Sequence, residues 1–325
     1  MVERLRERGL FVRVALAFLT IYLVWGSTFL GIRIAIDSIP PVLMCALRLG
    51  FAGVLMVLWA RLRGGAWPRG REWGNAAVVG VMLPAFGNGG VTLGETRVPT
   101  GLVALLVGSI PLWMALLAWL GPHGVRPAPA VLLGLAIGFA GIGLLLGPGA
   151  FGARGANTFG WAVIPVAGSL SWAWGSLFSR RARLPASAFM GTGIGLLAGS
   201  LLLFAVSAAL GEYAHFDPSR VATRSLLALA YLSIVGTVLG FSAYLFLLRT
   251  VSPTLVSTYA FVNPIIAMVI GGVFAGEHLT RRALVAAVCV VASVVLITLS
   301  RLRAPAGAST TRSPAPEREG AKLPA

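Results

Sequence analysis

Acidic side chains are scarce in this 325-residue sequence: 10 Asp and Glu stand against 26 Lys and Arg, and charged residues make up only 11% of the chain. That is too little charge to give a soluble protein of this size a wetted surface, so the composition excludes a soluble globular domain. Cysteine is nearly absent. Cys45 and Cys289 both sit inside apolar runs, where each reads as a small apolar side chain and no disulfide framework is implied. Histidine is equally sparse, and His123, His215 and His278 fall in loops or at helix ends. No HExxH zinc motif, GxSxG elbow or pair of mid-helix aspartates accompanies them, so nothing points to an intramembrane enzyme, a metal or a cofactor.

What the chain has instead is apolar length: 57% of its residues are hydrophobic. Walking along it gives ten runs long enough to cross a hydrocarbon core as helices, at 12–34, 41–60, 75–96, 99–120, 127–147, 159–179, 187–210, 223–248, 252–275 and 281–299. The reading is therefore an all-α membrane protein with ten transmembrane helices. Arg97 and Pro99 supply the short break between the third and fourth. Arg4, Arg6 and Arg8 precede the first run in the manner of a secretory signal. That run passes 20 residues without a small-residue cleavage site, so it is expected to be a retained helix behind an N-terminal segment 1–11. Residues 300–325, rich in Pro, Ala, Ser and charge, are expected to form a disordered tail.

Arginine sets the orientation, because basic residues near helix ends are retained on the cytoplasmic side. With the N-terminus inside, that side receives the clusters Arg61, Arg63, Arg69, Arg71 and Arg180, Arg181, Arg183, and both termini are expected to be cytoplasmic. The formal charge of +16 then belongs to an inner rim that meets anionic lipid headgroups. Nucleic acid is a poor partner, since these charges are scattered over loops without a DNA-binding motif. The expected partners are a small-molecule solute, the bilayer and, as a homodimer, a second copy of the chain.

A short polar and aromatic phrase occurs twice: VWGSTF at Val24–Phe29 and AWGSLF at Ala173–Phe178, with the tryptophans 174 − 25 = 149 positions apart. Pro99-Thr100 and Pro253-Thr254 open two other helices at an offset of 253 − 99 = 154, and Pro111 and Pro264 follow within them at 264 − 111 = 153. Three landmarks with nearly one spacing divide the chain into five-helix halves, 12–147 and 159–299, around a glycine-rich linker at 148–158. Five is odd, so the second half enters the membrane from the opposite face as an inverted repeat, the arrangement that secondary transporters use for alternating access. At about 1.5 Å per residue, Trp25 and Trp174 lie roughly 18 and 20 Å from opposite membrane faces, near the midplane. Either Gly26 and Gly175 serve plain helix packing, or the two clusters flank one central site to which Ser27 and Ser176 offer hydroxyls.

The order VWGSTFLGIRIAI, PPVLMCALRLGFAG, GNGGVTLGETRVPTGLVALLVGSIPLW, SLSWAWGSLFSRR and VNPIIAMVIGGVFAGEHLTRRALVAAVCVVAS resembles the EamA family of the drug/metabolite transporter superfamily, nearest its YedA-like branch. The resemblance covers nearly all of the chain except the tail. It implies a ten-helix bacterial inner-membrane carrier that exports a small metabolite such as an amino acid. One departure is visible: Gly276-Glu277 has the family's acidic residue, whereas the matching turn of the first half reads Gly121-Pro122.

Arg48 is the most informative single residue, because it lies about seven residues into the second helix, roughly 11 Å deep, where an unpaired charge costs several kcal/mol. Either it pairs with Glu95 or backbone carbonyls, or it is a cavity cation for a substrate carboxylate. Asn88 and Asn263 bring amides to membrane depth, and Tyr22, Phe29, Trp172, Phe178, Tyr244 and Tyr259 are candidate walls of a pocket. The substrate-binding set expected from sequence is Trp25, Ser27, Phe29, Arg48, Asn88, Trp174, Ser176, Tyr244, Tyr259 and Asn263. Glu95 and Glu277 are the candidates for proton coupling. Trp59, Trp67, Trp73, Trp119 and Trp161 near helix ends read as interface anchors. A channel is the alternative to a carrier, since polar midplane residues also line pores.

Overall fold

The computed structural model describes residues 2–121, 124, 127–146, 155–251, 256, 258–276 and 280–303, with backbone alone at 2–8, 145, 146, 155–159, 215, 248, 249, 261 and 301–303. The described residues are helical with no strand. In chain order they form α1 (Val2–Ala35), α2 (Pro41–Leu62), α3 (Arg71–Glu95), α4 (Thr100–Leu120), α5 (Pro129–Leu146), α6 (Gly155–Ser179), α7 (Ala188–Ala209), α8 (Thr223–Leu247), α9 (Tyr259–Phe274) and α10 (Arg281–Arg303). Among them α1, α2, α3, α4, α7, α8 and α10 are long and apolar enough to cross a membrane, while α5 and α9 hold shorter apolar segments, Pro129–Leu144 and Val262–Phe274.

Three helix ends lie beyond the bounds read from the sequence. Helix α1 begins at Val2, inside the expected N-terminal segment 1–11, because arginine and glutamate are good helix formers and extend the apolar helix beyond the hydrocarbon. Helix α6 begins at Gly155, within the expected linker 148–158, and α10 runs to Arg303, past the expected start of the tail at residue 300. The remainder of that linker and residues 304–325 lie outside the described residues, as do Pro122, Pro253 and Glu277.

Two helices carry a feature that sequence periodicity does not announce. In α3 the turn widens to π-helical pairing over Val81–Asn88, around Pro84, and in α8 it does so over Leu232–Leu239. A widened turn frees carbonyls from the regular ladder and is found frequently at functional sites. In α4 the chain is interrupted at Gly108-Ser109, just ahead of Pro111, whose missing N–H cannot continue the ladder.

Small residues set the packing. Helix α2 lies against α7, where Ser200 Oγ donates to Ala46 O at 2.8 Å, and α5 lies against α10, where Ser293 Oγ donates to Gly134 O at 2.6 Å. A close crossing joins α3 and α7: a Cβ built on Gly80 would stand 1.9 Å from the carbonyl oxygen of Gly195. Helix α4 is buried on every side from Thr100 to Leu106, as a helix apolar all round must be. The Glu212 carboxylate closes the start of α2 by accepting from Val42 N at 3.1 Å, Leu43 N at 2.8 Å and Ser207 Oγ at 2.7 Å.

Apolar side chains such as Leu201 and Val273, each 70% exposed, cover the outer face, as a lipid-facing surface requires. Between α2 and α3, Arg61 lies 5.0 Å from the Trp67 ring and Arg63 lies 4.7 Å from Trp59, and Trp67 stacks on Trp73. An aromatic belt studded with guanidinium groups suits the membrane interface.

Candidate functional site

The helices α1, α2, α3, α4, α6, α8 and α9 surround one cavity that holds about 700 Å³ of empty space, its opening included. Each widened turn contributes to its walls: Gly87 and Asn88 from α3, Gly236 from α8.

Two indoles stand on glycines across the cavity. Trp25 of α1 donates its Nε1–H to Gly236 O at 3.1 Å, a carbonyl within the widened turn of α8. A Cβ on Gly240, one turn further, would come 2.4 Å from the same Nε1, so α8 must be bare there to admit the ring. Around it Tyr259, Tyr244 and Phe241 have ring centroids at 5.0, 5.4 and 5.8 Å. On the other side Trp172 of α6 lies over Gly87 of α3, where a Cβ would meet Trp172 Cε3 at 2.6 Å. The spacings 172 − 25 = 147 and 236 − 87 = 149 show that both tryptophan–glycine pairs keep nearly the same offset.

Trp174, expected with the binding set, lies away from this cavity. It is 44% exposed and stacks on Phe178 with centroids 5.4 Å apart, on the outer face of α6. Trp172 and Trp174 are two residues apart, which is about 200° around a helix, so only one of them can face inward. The glycines of the repeated phrase serve helix approach: a Cβ on Gly26 would meet Ile266 of α9, and one on Gly175 would meet Leu83 and Met82 of α3. Neither serine reaches the cavity. Ser27 Oγ donates to Leu23 O and shares a hydrogen bond of 2.6 Å with Tyr231 Oη, while Ser176 Oγ donates to Trp172 O at 2.7 Å. Tyr244 packs behind Trp25 and is likewise outside the lining.

Six of the ten expected residues do meet at the cavity: Trp25, Phe29, Arg48, Asn88, Tyr259 and Asn263. Arg48 is 4% exposed, and its Nε donates to Thr237 Oγ1 at 2.9 Å. Thr237 in turn donates to Leu232 O, five residues back in the widened turn. Among the described residues Arg48 Nη1 has no hydrogen-bond partner, and neither has Oδ1 of Asn263, which is 7% exposed. Arg48 is the one charged side chain among the described lining residues. Glu95 is fully buried but set back from the lining, and its backbone carbonyl accepts from Arg33 Nη1 at 2.7 Å.

Sequence reasoning passed over Thr28, Ser169 and Thr237 and gave Trp172 a lower place than Trp174. The signal for Thr237 and its glycines was present, since Gly236 and Gly240 make a bare four-residue stripe around it in GTVLG. Nothing in the sequence says which tryptophan of SWAWGS points inward, because both faces of α6 are apolar enough to be buried.

Comparison with known proteins follows the same division of the chain. The sequence profile described as the EamA-like transporter family matches residues 12–147 and again 159–299. YedA, an uncharacterized inner membrane transporter of Escherichia coli, is 37% identical over 89% of this chain and 92% of its own length. A probable terminal-alkyne amino-acid exporter of Streptantibioticus cattleyicolor is 26% identical, and a probable amino-acid metabolite efflux pump of Salmonella typhimurium 25%, each over 86% of this chain and 92% of theirs. A crystal structure that shares 22% identity superposes with a TM-score of 0.60 over 89% of this chain and 99% of that one, a likeness of fold.

Proposed function

We propose, on the premise that this chain belongs to the EamA-like transporter family, that it exports a small carboxylate-bearing metabolite, such as an amino acid or a related compound, by alternating access. It is a multi-pass membrane transporter of that family. The observation that carries the finer reading is the buried Arg48 guanidinium, which lines a central cavity and keeps Nη1 without a protein partner among the described residues. Glu95, buried behind the lining, is an electrostatic neighbour of Arg48, and a substrate carboxylate is the natural complement of a guanidinium at the cavity.

In this reading the chain is a ten-helix inverted repeat in the bacterial inner membrane, with both termini cytoplasmic. Support comes from pairs that the repeat exchanges: α2 lies on α7 and α5 on α10, and each half lends one tryptophan to a glycine of the other. Alternating access then amounts to the halves rocking about the cavity, with the widened turns of α3 and α8 as the places where a helix bends at least cost.

The test compares extracellular metabolites of cells that lack the protein, overexpress it, or overexpress Arg48→Gln at matched membrane levels. The expected result is one or more carboxylate-bearing solutes that rise outside only with the intact chain, and whose flux in proteoliposomes saturates and shows counterflow. Flux that stays linear in concentration, without counterflow, would establish a pore instead.

A further inference from the structure

We propose that the connection between α2 and α3, with that between α6 and α7 beside it, is a binding site for an anionic glycerophospholipid. Arg61 and Arg63 take its phosphodiester, and an acyl chain lies along α2. The site stands apart from the central cavity and is independent of the solute carried there.

The membrane fixes where these residues sit. The span of α2 ends at Leu62 and that of α3 begins at Arg71, so residues 63–70 are held at the level of the lipid headgroups. Arg61, Arg63, Arg69 and Arg71 are all exposed there. The second connection is tied to the same surface, with Arg183 Nε 3.4 Å from Glu72 Oε1 and Asn75 Nδ2 donating to Arg183 O at 2.9 Å. It adds Arg180 and Arg181, both exposed. Glu72 is the one acid in residues 59–75 and 178–188, and its other oxygen already accepts from Arg69 N at 3.0 Å. Among the described residues the guanidinium groups other than that of Arg183 have no ion-pair partner on this surface. Such an excess of one sign attracts an anion from outside the protein.

Two of these arginines are held ready by their neighbours. Arg63 lies 4.7 Å from the Trp59 ring; Arg61 lies 5.0 Å from Trp67 and donates from Nη1 to Gly65 O at 2.7 Å. Trp67 in turn stacks on Trp73, whose Nε1–H donates to Pro68 O at 2.9 Å. A guanidinium already placed against an indole gives up less freedom when its N–H fork meets two phosphate oxygens. The surroundings then favour a lipid over a free anion. Phe51, Val54, Leu58 and Leu62 are each at least 50% exposed and share one face of α2, which ends beside Arg61. An acyl chain on that strip keeps its phosphate at the arginines, whereas a free phosphate gains nothing from the strip. A zwitterionic headgroup brings a cation of its own against the cluster, so the lipid must carry net negative charge.

The test uses the full-length chain purified in detergent, with native mass spectrometry to count bound lipid. The probes are dioleoyl phosphatidylglycerol, dioleoyl phosphatidylcholine and glycerol 3-phosphate, the last being a headgroup anion without chains. Phosphatidylglycerol is expected to bind at least about tenfold more tightly than phosphatidylcholine, since each arginine at an anionic lipid surface contributes about fivefold. Glycerol 3-phosphate in molar excess is expected to leave it bound. The double variant Arg61→Gln, Arg63→Gln is expected to lose at least about tenfold in phosphatidylglycerol affinity. Arg220→Gln with Arg224→Gln removes the same charge from arginines that pair with Asp217 and Asp37, and is expected to stay within about twofold. Should the first double variant fail to fold, Trp67→Leu keeps every charge, removes the ring beside Arg61 and is expected to lose about threefold. Equal affinity for the two lipids overturns the proposal. Displacement by glycerol 3-phosphate makes the cluster a free-phosphate site instead, and an equal loss in both double variants, or none in Trp67→Leu, leaves only diffuse attraction by net charge.

Discussion

Arg48 on α2 and Thr237 in the widened turn of α8 are 189 residues apart in sequence and joined by a 2.9 Å hydrogen bond inside the bundle. The bond couples two peculiarities. Thr237 satisfies one donor of a buried guanidinium, and its own hydroxyl proton goes to Leu232 O, a carbonyl that regular α-helical pairing would not leave within its reach. Thr237→Val keeps the shape and removes the oxygen. It is expected to destabilise the protein by about 1.5–3 kcal/mol, the range for a hydrogen bond to a charged group, while Thr237→Ser stays within about 0.5 kcal/mol. Thermal unfolding of the two purified variants in one detergent checks this. Equal midpoints would mean that Arg48 finds another acceptor at no cost.

The two tryptophans of α6 separate inward from outward. Trp172 lies on Gly87 at the cavity wall, whereas Trp174 stacks on Phe178 at the outer face. Trp172→Ala is expected to lower the initial rate of solute export at least tenfold, and Trp174→Ala to leave it within about twofold. Trp172 forms part of the wall that a solute must meet, whereas Trp174 lies outside it. Export rates at matched membrane levels settle the comparison, and similar damage from both would return Trp174 to the site.

Gly80 faces the backbone of α7. A methyl group there would stand 1.9 Å from Gly195 O, and neither helix has a flexible side-chain end to move aside. Gly80→Ala is therefore expected to abolish a monodisperse species in detergent. On the same helix Gly74 faces open space, and Gly74→Ala should be neutral or stabilising by up to about 1 kcal/mol through its helix propensity. Size-exclusion profiles of the two variants provide the check, and a well-behaved Gly80→Ala would show that α3 and α7 can separate.

Much of the bundle was legible because lipid imposes a simple rule: apolar length makes helices, and arginine and proline end them. The short break between α3 and α4 at Arg97 and Pro99 illustrates it, as do Arg48, Asn88 and Asn263, polar groups too costly to bury in hydrocarbon without purpose. Less legible were residues whose role depends on rotation about a helix axis. Ser27 and Ser176 had the chemistry for a site and spend it on carbonyls of their own helices, a local bond that competes with any ligand. Glu212 gave no sign of closing α2, because its partners are backbone N–H groups at residues 42 and 43, which every sequence possesses.

By itself the sequence determined that this chain crosses a membrane as helices and that a buried arginine and two amides would need partners there. Composition and run length suffice for that, since hydrocarbon penalises each unsatisfied polar group wherever it lies along the chain. Only the tertiary structure decided that Thr237 meets Arg48, that Trp172 rather than Trp174 lies on the cavity wall, and that Asn263 keeps an acceptor without a protein partner among the described residues. Those outcomes turn on which faces of distant helices come within 3 Å of each other, a matter of packing that no stretch of the chain contains locally.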